Sequence, residues 1–115
     1  MHSVIMTPMF LSQAKRAGLN DEDIQQICTA LANSPVGGDL ISGTGGARKM
    51  RHAGRGRGKS GGYRTIHFYG GDDFPLFLLA VYGKGDKANI SQAEKNALSS
   101  LLSSITALYN KDAPK

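Results

Sequence analysis

The feature that most constrains the fold of this chain is an apolar segment late in the sequence, PLFLLAVY at positions 75–82. Its length and its aliphatic and aromatic content are typical of a β-strand. A strand with one face in water alternates polar and apolar residues, whereas this segment is apolar at almost every position. We therefore expect it to lie inside a sheet that is covered by helices on both faces.

Three further segments supply the partner strands that such a sheet requires. Residues 47–52 (ARKMRH) and 63–69 (YRTIHFY) have the composition of strands, and HSVIM at 2–6 is a short β-type run. The Gly-Gly-Asp-Asp turn at 70–73 predicts that the second of these segments and the apolar strand form a hairpin. The sheet is therefore expected to be small and rich in antiparallel pairs.

Three helices are predicted from capping signals and apolar periodicity. The first two span 8–17 and 21–33, with Thr7 and Asn20 as their N-cap residues. The third begins at Ser91, where SQAE matches a capping box. The element order is β-α-α-β-β-β-α, which is an α+β fold with two N-terminal helices and one C-terminal helix around the sheet.

The third predicted helix has two contrasting faces. Its apolar residues recur at helical spacing and predict a core stripe, formed by Ala97, Leu98, Leu101, Leu102, Ile105 and Leu108. The opposite face is rich in serine and almost uncharged. We favour a solvated face, and a surface reserved for a partner protein is the alternative, because most exposed helices carry more charge.

The length of 115 residues predicts a single domain, 1–115, around one core, with 110–115 as a frayed tail. Residues 34–46 combine glycine, proline and polar residues and are predicted to form a loop. Within this loop, Leu40 and Ile41 are expected to anchor the chain to the core.

The residue types present exclude several kinds of site. Cys28 is the only cysteine, so an intrachain disulfide and a cysteine-based zinc site are impossible, and the three histidines are too sparse to suggest a metal. We expect neither a metal nor a small-molecule cofactor. Residues 1–18 lack the features of a signal peptide and no apolar run is long enough to cross a bilayer, so a cytoplasmic location without membrane contact is expected. His67 is kept as a candidate for proton transfer.

The charge of the chain is concentrated in one segment. There are 14 Lys and Arg against nine Asp and Glu, and the net charge is +5. Residues 48–64 contain seven of these cations and no carboxylate. Such a local excess predicts a site for a polyanion, and nucleic acid is the leading candidate.

The glycine-rich part of this segment, AGRGRGKS at 53–60, matches a permissive P-loop pattern. A strand follows it where a phosphate-binding helix would be required, so nucleotide binding is not expected. A flexible RGG-like tract is a second interpretation, but the tract is short and closely flanked by strands. We interpret it as a connection whose glycines let phosphates approach the backbone, with Arg55, Arg57 and Lys59 as capturing cations.

Alternation along the predicted strands places further cations together. Lys49 and Arg51 are expected on one face of their strand and Met50 on the other. Arg64 begins the next strand, directly after the glycine-rich segment.

The end of the third predicted strand adds to this group. Tyr82 and Lys84 share a face there, with Lys87 close by, so three strand ends are expected to meet at one cationic pocket. The alternative is that these cations only keep the surface soluble. The absence of any acidic residue from 40 to 71 counts against that alternative.

Four blocks of this sequence are informative when they are taken together. They are GTGGARKMR, GRGKSGGYR followed by IHFY, LLAVYGKGDK, and SQAEKNAL, and they cover roughly residues 38–98. In this order they resemble the RelE/HigB-type toxins of bacterial toxin–antitoxin systems. The resemblance implies a RelE-like microbial RNase fold and a metal-independent endoribonuclease. It also implies that the protein cleaves mRNA, commonly in the ribosomal A site, and is neutralised by a cognate antitoxin.

The resemblance also implies roles for individual residues. Lys49 and Arg51 match the paired cations of the family's first central strand, and Arg64 matches the arginine that stabilises the transition-state phosphate. Lys84 matches the basic residue after the last strand. Members of the RelE branch use a C-terminal tyrosine for proton transfer where this chain has ANISQA, so Tyr82 and Lys49 are the two candidates for the base.

Other cations are expected to bind RNA phosphates without taking part in the reaction; they are Arg48, Arg55, Arg57, Lys59 and Lys87. Two other functions remain open. The same fold serves ParE-like toxins, which poison gyrase by binding it and do not cleave RNA. A nucleic-acid-binding domain without catalysis would have the same charge pattern and would differ only in turnover.

Overall fold

The computed structural model describes residues 3–53, 62–83 and 90–110 of the chain. It is an α+β structure, as predicted, with five strands and three helices in the described residues. In chain order they are β1 (Val4–Met6), α1 (Pro8–Arg16), α2 (Asp21–Asn33), β2 (Asp39–Leu40), β3 (Ala47–His52), β4 (Tyr63–Phe68), β5 (Leu76–Gly83) and α3 (Gln92–Asn110).

The five strands form one mixed sheet in the order β1-β5-β4-β3-β2. β1 runs parallel to β5, and the other neighbouring strands are antiparallel. β5 is therefore paired along both edges, and every residue from Leu76 to Val81 is buried. The prediction of an inner strand that is covered on both faces is confirmed.

The helices pack on the two faces of this sheet and form two apolar clusters. The cluster under α1 and α2, on what we name the α1/α2 face, consists of Phe10, Ala14, Leu19, Ile27, Leu31, Leu76, Leu78 and Val81. The cluster under α3, on the α3 face, consists of Ala47, Ile66, Phe68, Phe77, Leu79, Ala80, Leu98, Leu102 and Ile105. β5 thus contributes residues to both clusters, which is why that strand is apolar throughout.

The helices begin where the capping signals predict. The Thr7 side chain accepts a hydrogen bond from the α1 backbone. Asn20 and Asp23 exchange side-chain and backbone hydrogen bonds of 2.8 and 2.9 Å, and Ser91 and Glu94 do the same at the start of α3. These bonds satisfy backbone N–H groups that the first turn of a helix leaves without partners. No helix within the described residues is long and apolar enough to cross a membrane.

α3 packs on the sheet through a narrower stripe than its sequence predicts. Leu98, Leu102 and Ile105 are buried. The other three predicted core residues, Ala97, Leu101 and Leu108, are exposed, and Leu108 is 61 % exposed. A helix that lies on one side of a sheet buries only the side chains that face the sheet, so the prediction of a six-residue stripe was wrong.

The predicted loop over 34–46 contains a short strand, β2, that pairs with β3. Leu40 in this strand is 62 % exposed, so its predicted role as an anchor was wrong, whereas Ile41 packs against the α3-face cluster as expected. Gly38 precedes β2 with φ +80°, and a Cβ atom there would collide with the backbone carbonyl of Lys49. Only glycine lets this segment approach β3 so closely.

Candidate nucleic-acid interface

The pairing register brings several predicted site residues into line on the α3 face. Arg51 of β3 lies opposite Arg64 of β4, which in turn lies opposite Tyr82 of β5. Residues directly opposite one another on neighbouring strands point to the same face, with Cβ atoms roughly 5 Å apart. We name these three residues the cationic row. Lys49, two positions before Arg51, is on the same face and lies opposite Ile66.

A β-bulge in β5 directs Tyr82 towards this row. Leu78 and Ala80 pair with successive residues of β4, so Leu79 between them is an extra residue with no opposite partner. Both Leu79 and Ala80 consequently belong to the α3-face cluster. Strict alternation from Leu79 would direct Tyr82 to the α1/α2 face, and the bulge therefore fixes which face receives its phenol group.

The cationic row lies at the margin of the α3-face core. Ile66 and Ala80 are buried in that core, and Tyr82 is half-buried against it. Arg64 is also half-buried, whereas Arg51 is exposed. The packed core holds the strands in place while the guanidinium groups stay accessible to a ligand.

The pairing of Arg51 with Arg64 is unfavourable in the absence of a ligand. Like charges directly opposite one another destabilise a sheet. An arginine side chain presents a planar set of N–H donors that can bind two oxygens of one phosphate, and two such groups side by side surround a phosphate well. The arrangement is therefore suited to a phosphodiester.

The sequence pattern did not identify one carboxylate that lies beside these cations. Asp39 of β2 is directly opposite Lys49 and is exposed. β2 has two residues, which is too short for any periodicity, and the only signal was the preceding pair of glycines that marks a turn. A carboxylate at this position lowers the positive potential at Lys49 relative to Arg51 and Arg64.

Arg48 lies on the α1/α2 face, apart from the cationic row. Its Nη1 donates hydrogen bonds to the carbonyl oxygens of Val36, at 2.9 Å, and Gly38, at 3.4 Å. The guanidinium group therefore ties the segment that precedes β2 to β3. The structure therefore places Arg48 on the opposite face of the sheet from Lys49, Arg51 and Arg64.

The buried histidine of β4 also lies on the α1/α2 face. His67 is fully buried, and its Nε2 donates to the Pro35 carbonyl oxygen at 3.0 Å, while its Nδ1 has no hydrogen-bond partner in the described part of the chain. Burial lowers the pKa of His67 below its ordinary value of 6.5, and the charge of Arg48 lowers it further, although the bond to Pro35 acts in the opposite direction. His67 is thus neutral and does not reach the cationic row.

His52 is bound in a similar way on the same face. Its Nε2 lies 2.8 Å from the hydroxyl oxygen of Thr65, which is fully buried. Burial, and to a smaller extent the charge of His67, lowers the pKa of His52. Within the described ranges no three His, Cys, Asp or Glu side chains are grouped as metal ligands would be.

Five of the predicted cations lie outside the described residues, namely Arg55, Arg57, Lys59, Lys84 and Lys87. The remaining ones divide between the two faces of the sheet. Lys49, Arg51 and Arg64 share the α3 face with Tyr82, and Arg48 lies on the other.

The fold and the cationic row together define a class of protein, a small α+β protein with a positively charged sheet face suited to phosphates. A family model described as the RelE toxin of the RelE / RelB toxin-antitoxin system matches residues 2–113. The chain therefore belongs to the RelE toxin family, and the resemblance found in its sequence is confirmed. Membership implies an antitoxin as partner.

Proposed function

We propose that this toxin is a metal-independent endoribonuclease that cleaves mRNA in the ribosomal A site. The observation that carries the proposal is the direct cross-strand pairing of Arg51 with Arg64. Two like charges held opposite one another lower the stability of a sheet unless an anion lies between them. RNA supplies such an anion at every nucleotide.

The proposed reaction is a transesterification at phosphorus. The 2′-oxygen of one nucleotide attacks the adjacent phosphorus and the bond from phosphorus to the 5′-oxygen breaks, which leaves a 2′,3′-cyclic phosphate and a 5′-hydroxyl. The 2′-hydroxyl gives its proton to a base, and the departing 5′-oxygen takes a proton from an acid. Positive groups that are fixed in place beforehand stabilise the charge that develops on the phosphate oxygens.

We assign the central role to Arg64, because it has a neighbour of the cationic row on each side. Arg51 binds the same phosphate from β3. Tyr82 lies directly opposite Arg64, whereas Lys49 is displaced from Arg64 along the strand and faces Asp39. Tyr82 is therefore the better placed group for proton transfer, and Lys49 is assigned to binding of the adjacent phosphate.

The remaining cations are proposed to capture RNA electrostatically; they are Arg55, Arg57, Lys59 and Lys87. Lys84 keeps the part in the reaction that the family resemblance implies. Binding of this kind weakens steeply as the salt concentration rises. The antitoxin is proposed to cover the same surface with an acidic or amphipathic segment, since such a segment would complement the charge of the cationic row.

Induced expression followed by primer extension on a reporter mRNA tests the proposal. Wild type is compared with Arg64→Ala and with Arg16→Ala, a control that removes an exposed charge at the end of α1. New 5′ ends inside the coding region are expected with wild type and with the control. Arg64→Ala should lower the rate at which they form by roughly a hundredfold or more, the usual loss for one charge-stabilising donor.

Two other results would contradict the proposal in different ways. Growth arrest with intact mRNA and accumulating DNA breaks would indicate gyrase poisoning of the ParE type. Binding of RNA without new 5′ ends would leave a nucleic-acid-binding domain without catalysis.

A further inference from the structure

A pocket on the α1/α2 face, at the same end of the sheet as the cationic row, has no part in the proposed reaction. Its volume is about 310 Å³, and it lies between α2 and the ends of β3 and β4. Asp23, Gln26, Ile27 and Ala30 form its helical wall, since residues three and four positions apart share one side of a helix. Arg51 also lines the pocket, although its row lies on the other face of the sheet, so the pocket and the cationic row come together at the edge of β3 beyond its pairing with β2.

We propose that this pocket binds one nucleobase of the RNA, a base with an exocyclic amino group, beside the phosphate that Arg51 holds. The inference rests on the proposed function, because it assigns the pocket to the same RNA. It adds a determinant of sequence preference that the cationic row lacks, since phosphate contacts carry no information about the base.

The size and the walls of the pocket fit a single base. Its volume is near the lower end of the range for small-ligand sites, which suits one ring system. Tyr63 and His52 line the strand side, with Met50 between the strand and the helix. Proteins commonly bind unpaired RNA bases by stacking them on aromatic rings and by hydrogen bonds to their edges.

The imidazole ring of His52, on the strand side of the pocket, is fixed in an orientation that suits such stacking. The hydrogen bond between His52 and Thr65 fixes the orientation of the imidazole, and Thr65 is itself fully buried. Because burial lowers the pKa of His52, the ring is neutral at neutral pH and presents a flat face without charge. A ring that is fixed before binding loses little conformational freedom when a base stacks on it.

The polar groups of the helical wall favour an amino-bearing base. The Gln26 side chain offers both a donor and an acceptor, whereas the Asp23 carboxylate only accepts. Asp23 is fixed by its bond to the Asn20 backbone. Adenine, cytosine and guanine can donate an amino N–H to a carboxylate, and uracil cannot. The acidic first turn of α2, with Asp21 and Glu22 before Asp23, disfavours a second phosphate in this position.

Chemical-shift titrations of the full chain separate base binding from phosphate binding. The probes are adenosine 3′-monophosphate, uridine 3′-monophosphate and inorganic phosphate. Signals of Gln26, His52 and Tyr63 should move with the adenosine nucleotide, whereas phosphate alone should move only those of the cationic row. The uridine nucleotide should bind roughly threefold or more weakly. Equal affinities and equal shifts for all three probes would overturn the inference.

Two variants and a matched control refine this test. Gln26→Ala removes the amide, Ala30→Leu fills the pocket, and Gln25→Ala changes an exposed residue of the same type on the same helix. Gln26→Ala should weaken binding of adenosine 3′-monophosphate roughly three- to tenfold and leave phosphate binding and the control unchanged. Ala30→Leu should weaken it roughly tenfold or more. An unchanged affinity in both variants would contradict the assignment.

Mapping of cleavage sites distinguishes failure of this inference from failure of the proposed function. If wild type cleaves RNA, Gln26→Ala should reduce the preference for an amino-bearing base beside the cleaved bond. Cleavage with the same base distribution in both proteins would refute the pocket assignment and leave the function in place. If wild type does not cleave RNA, the proposed function fails, and the titrations alone then decide whether the pocket binds a base.

Discussion

The two faces of the sheet differ in what their polar side chains bind. On the α1/α2 face, His52 is bonded to Thr65, His67 to the carbonyl of Pro35, and Arg48 to carbonyls of the segment before β2. These bonds are all made within the protein, and they leave Nδ1 of His67 without a hydrogen-bond partner among the described residues. Such bonds hold neighbouring segments together, and each contributes about 1 kcal/mol to stability.

On the α3 face lie the polar groups that we propose for RNA binding. Arg51 and Arg64 lie opposite one another, and no side-chain hydrogen bond found among the described residues involves either guanidinium group. An arrangement that lowers the stability of the free protein is typical of a functional site. The comparison separates two arginines that lie three positions apart in β3: Arg48 binds the protein's own backbone, and Arg51 is proposed to bind RNA.

The largest effect is expected when the phenol group of the cationic row is removed. Tyr82→Phe keeps the packing against the α3-face core but loses the proton that the proposed reaction requires. We expect the single-turnover cleavage rate to fall roughly a hundredfold to ten-thousandfold. Tyr109→Phe, whose ring stacks on Phe74 elsewhere on this face, is the control and should cleave normally. A rate within threefold of wild type for Tyr82→Phe would assign proton transfer to Lys49.

The next effect concerns the packing of α3 on the α3-face core, at whose margin the cationic row lies. Leu102 is 2 % exposed and Leu101 is 37 % exposed, although they are adjacent in α3. Leu102→Ala should lower the free energy of unfolding by about 2–5 kcal/mol, and Leu101→Ala by well under half of that. Urea denaturation measures both. Equal losses would show that α3 does not pack on the sheet through the narrow stripe.

A third prediction concerns the segment that Arg48 holds. Gly38 and Gly18 both have positive φ angles, +80° and +79°, but only at Gly38 would a Cβ atom meet other atoms. Gly38→Ala should destabilise the protein by about 2–3 kcal/mol, against about 1 kcal/mol for Gly18→Ala. Thermal unfolding of the two variants compares them directly. Equal shifts would mean that β2 does not require close approach to β3.

The smallest effect is a dependence of stability on pH that originates on the α1/α2 face. Because the pKa of His67 is below its ordinary value of 6.5, the unfolded chain binds a proton more readily than the folded one. Stability is therefore complete above about pH 6.5 and falls at lower pH, by up to about 1.4 kcal/mol per pH unit for each such histidine.

Urea denaturation between about pH 5 and 8 measures this dependence, and the variant His67→Gln should flatten it. His52→Gln is the companion variant, since the pKa of His52 is lowered in the same direction. A slope that neither substitution changes would contradict the assignment of neutral, buried histidines to this face.

The elements with long signals could be predicted from the sequence. The apolar run at 75–82 indicated an inner strand, and Asn20 marked a helix start that the structure contains. β2 could not be predicted, because two residues show no periodicity. The bulge at Leu79 could not be predicted either, since one extra apolar residue does not interrupt a run of apolar residues.

The candidate site was predictable only in part. Alternation indicated that Lys49 and Arg51 share a face, because it depends on neighbouring residues of one strand. The pairing of Arg51 with Arg64 depends on the register between strands, and the position of Asp39 depends on a strand without a signal. The binding of Arg48 to backbone carbonyls depends on where the preceding segment runs, which composition does not specify.

The most direct test of this account compares Arg64→Ala with Arg48→Ala in purified protein, by single-turnover cleavage of RNA and by thermal unfolding. Arg64→Ala should slow cleavage roughly a hundredfold or more and leave the Tm unchanged or higher, because it removes a like-charge pair. Arg48→Ala should lower the Tm and leave cleavage by the folded protein close to wild type. Cleavage by Arg64→Ala at the wild-type rate, or a slow Arg48→Ala with an unchanged Tm, would contradict the different roles assigned to Arg64 and Arg48.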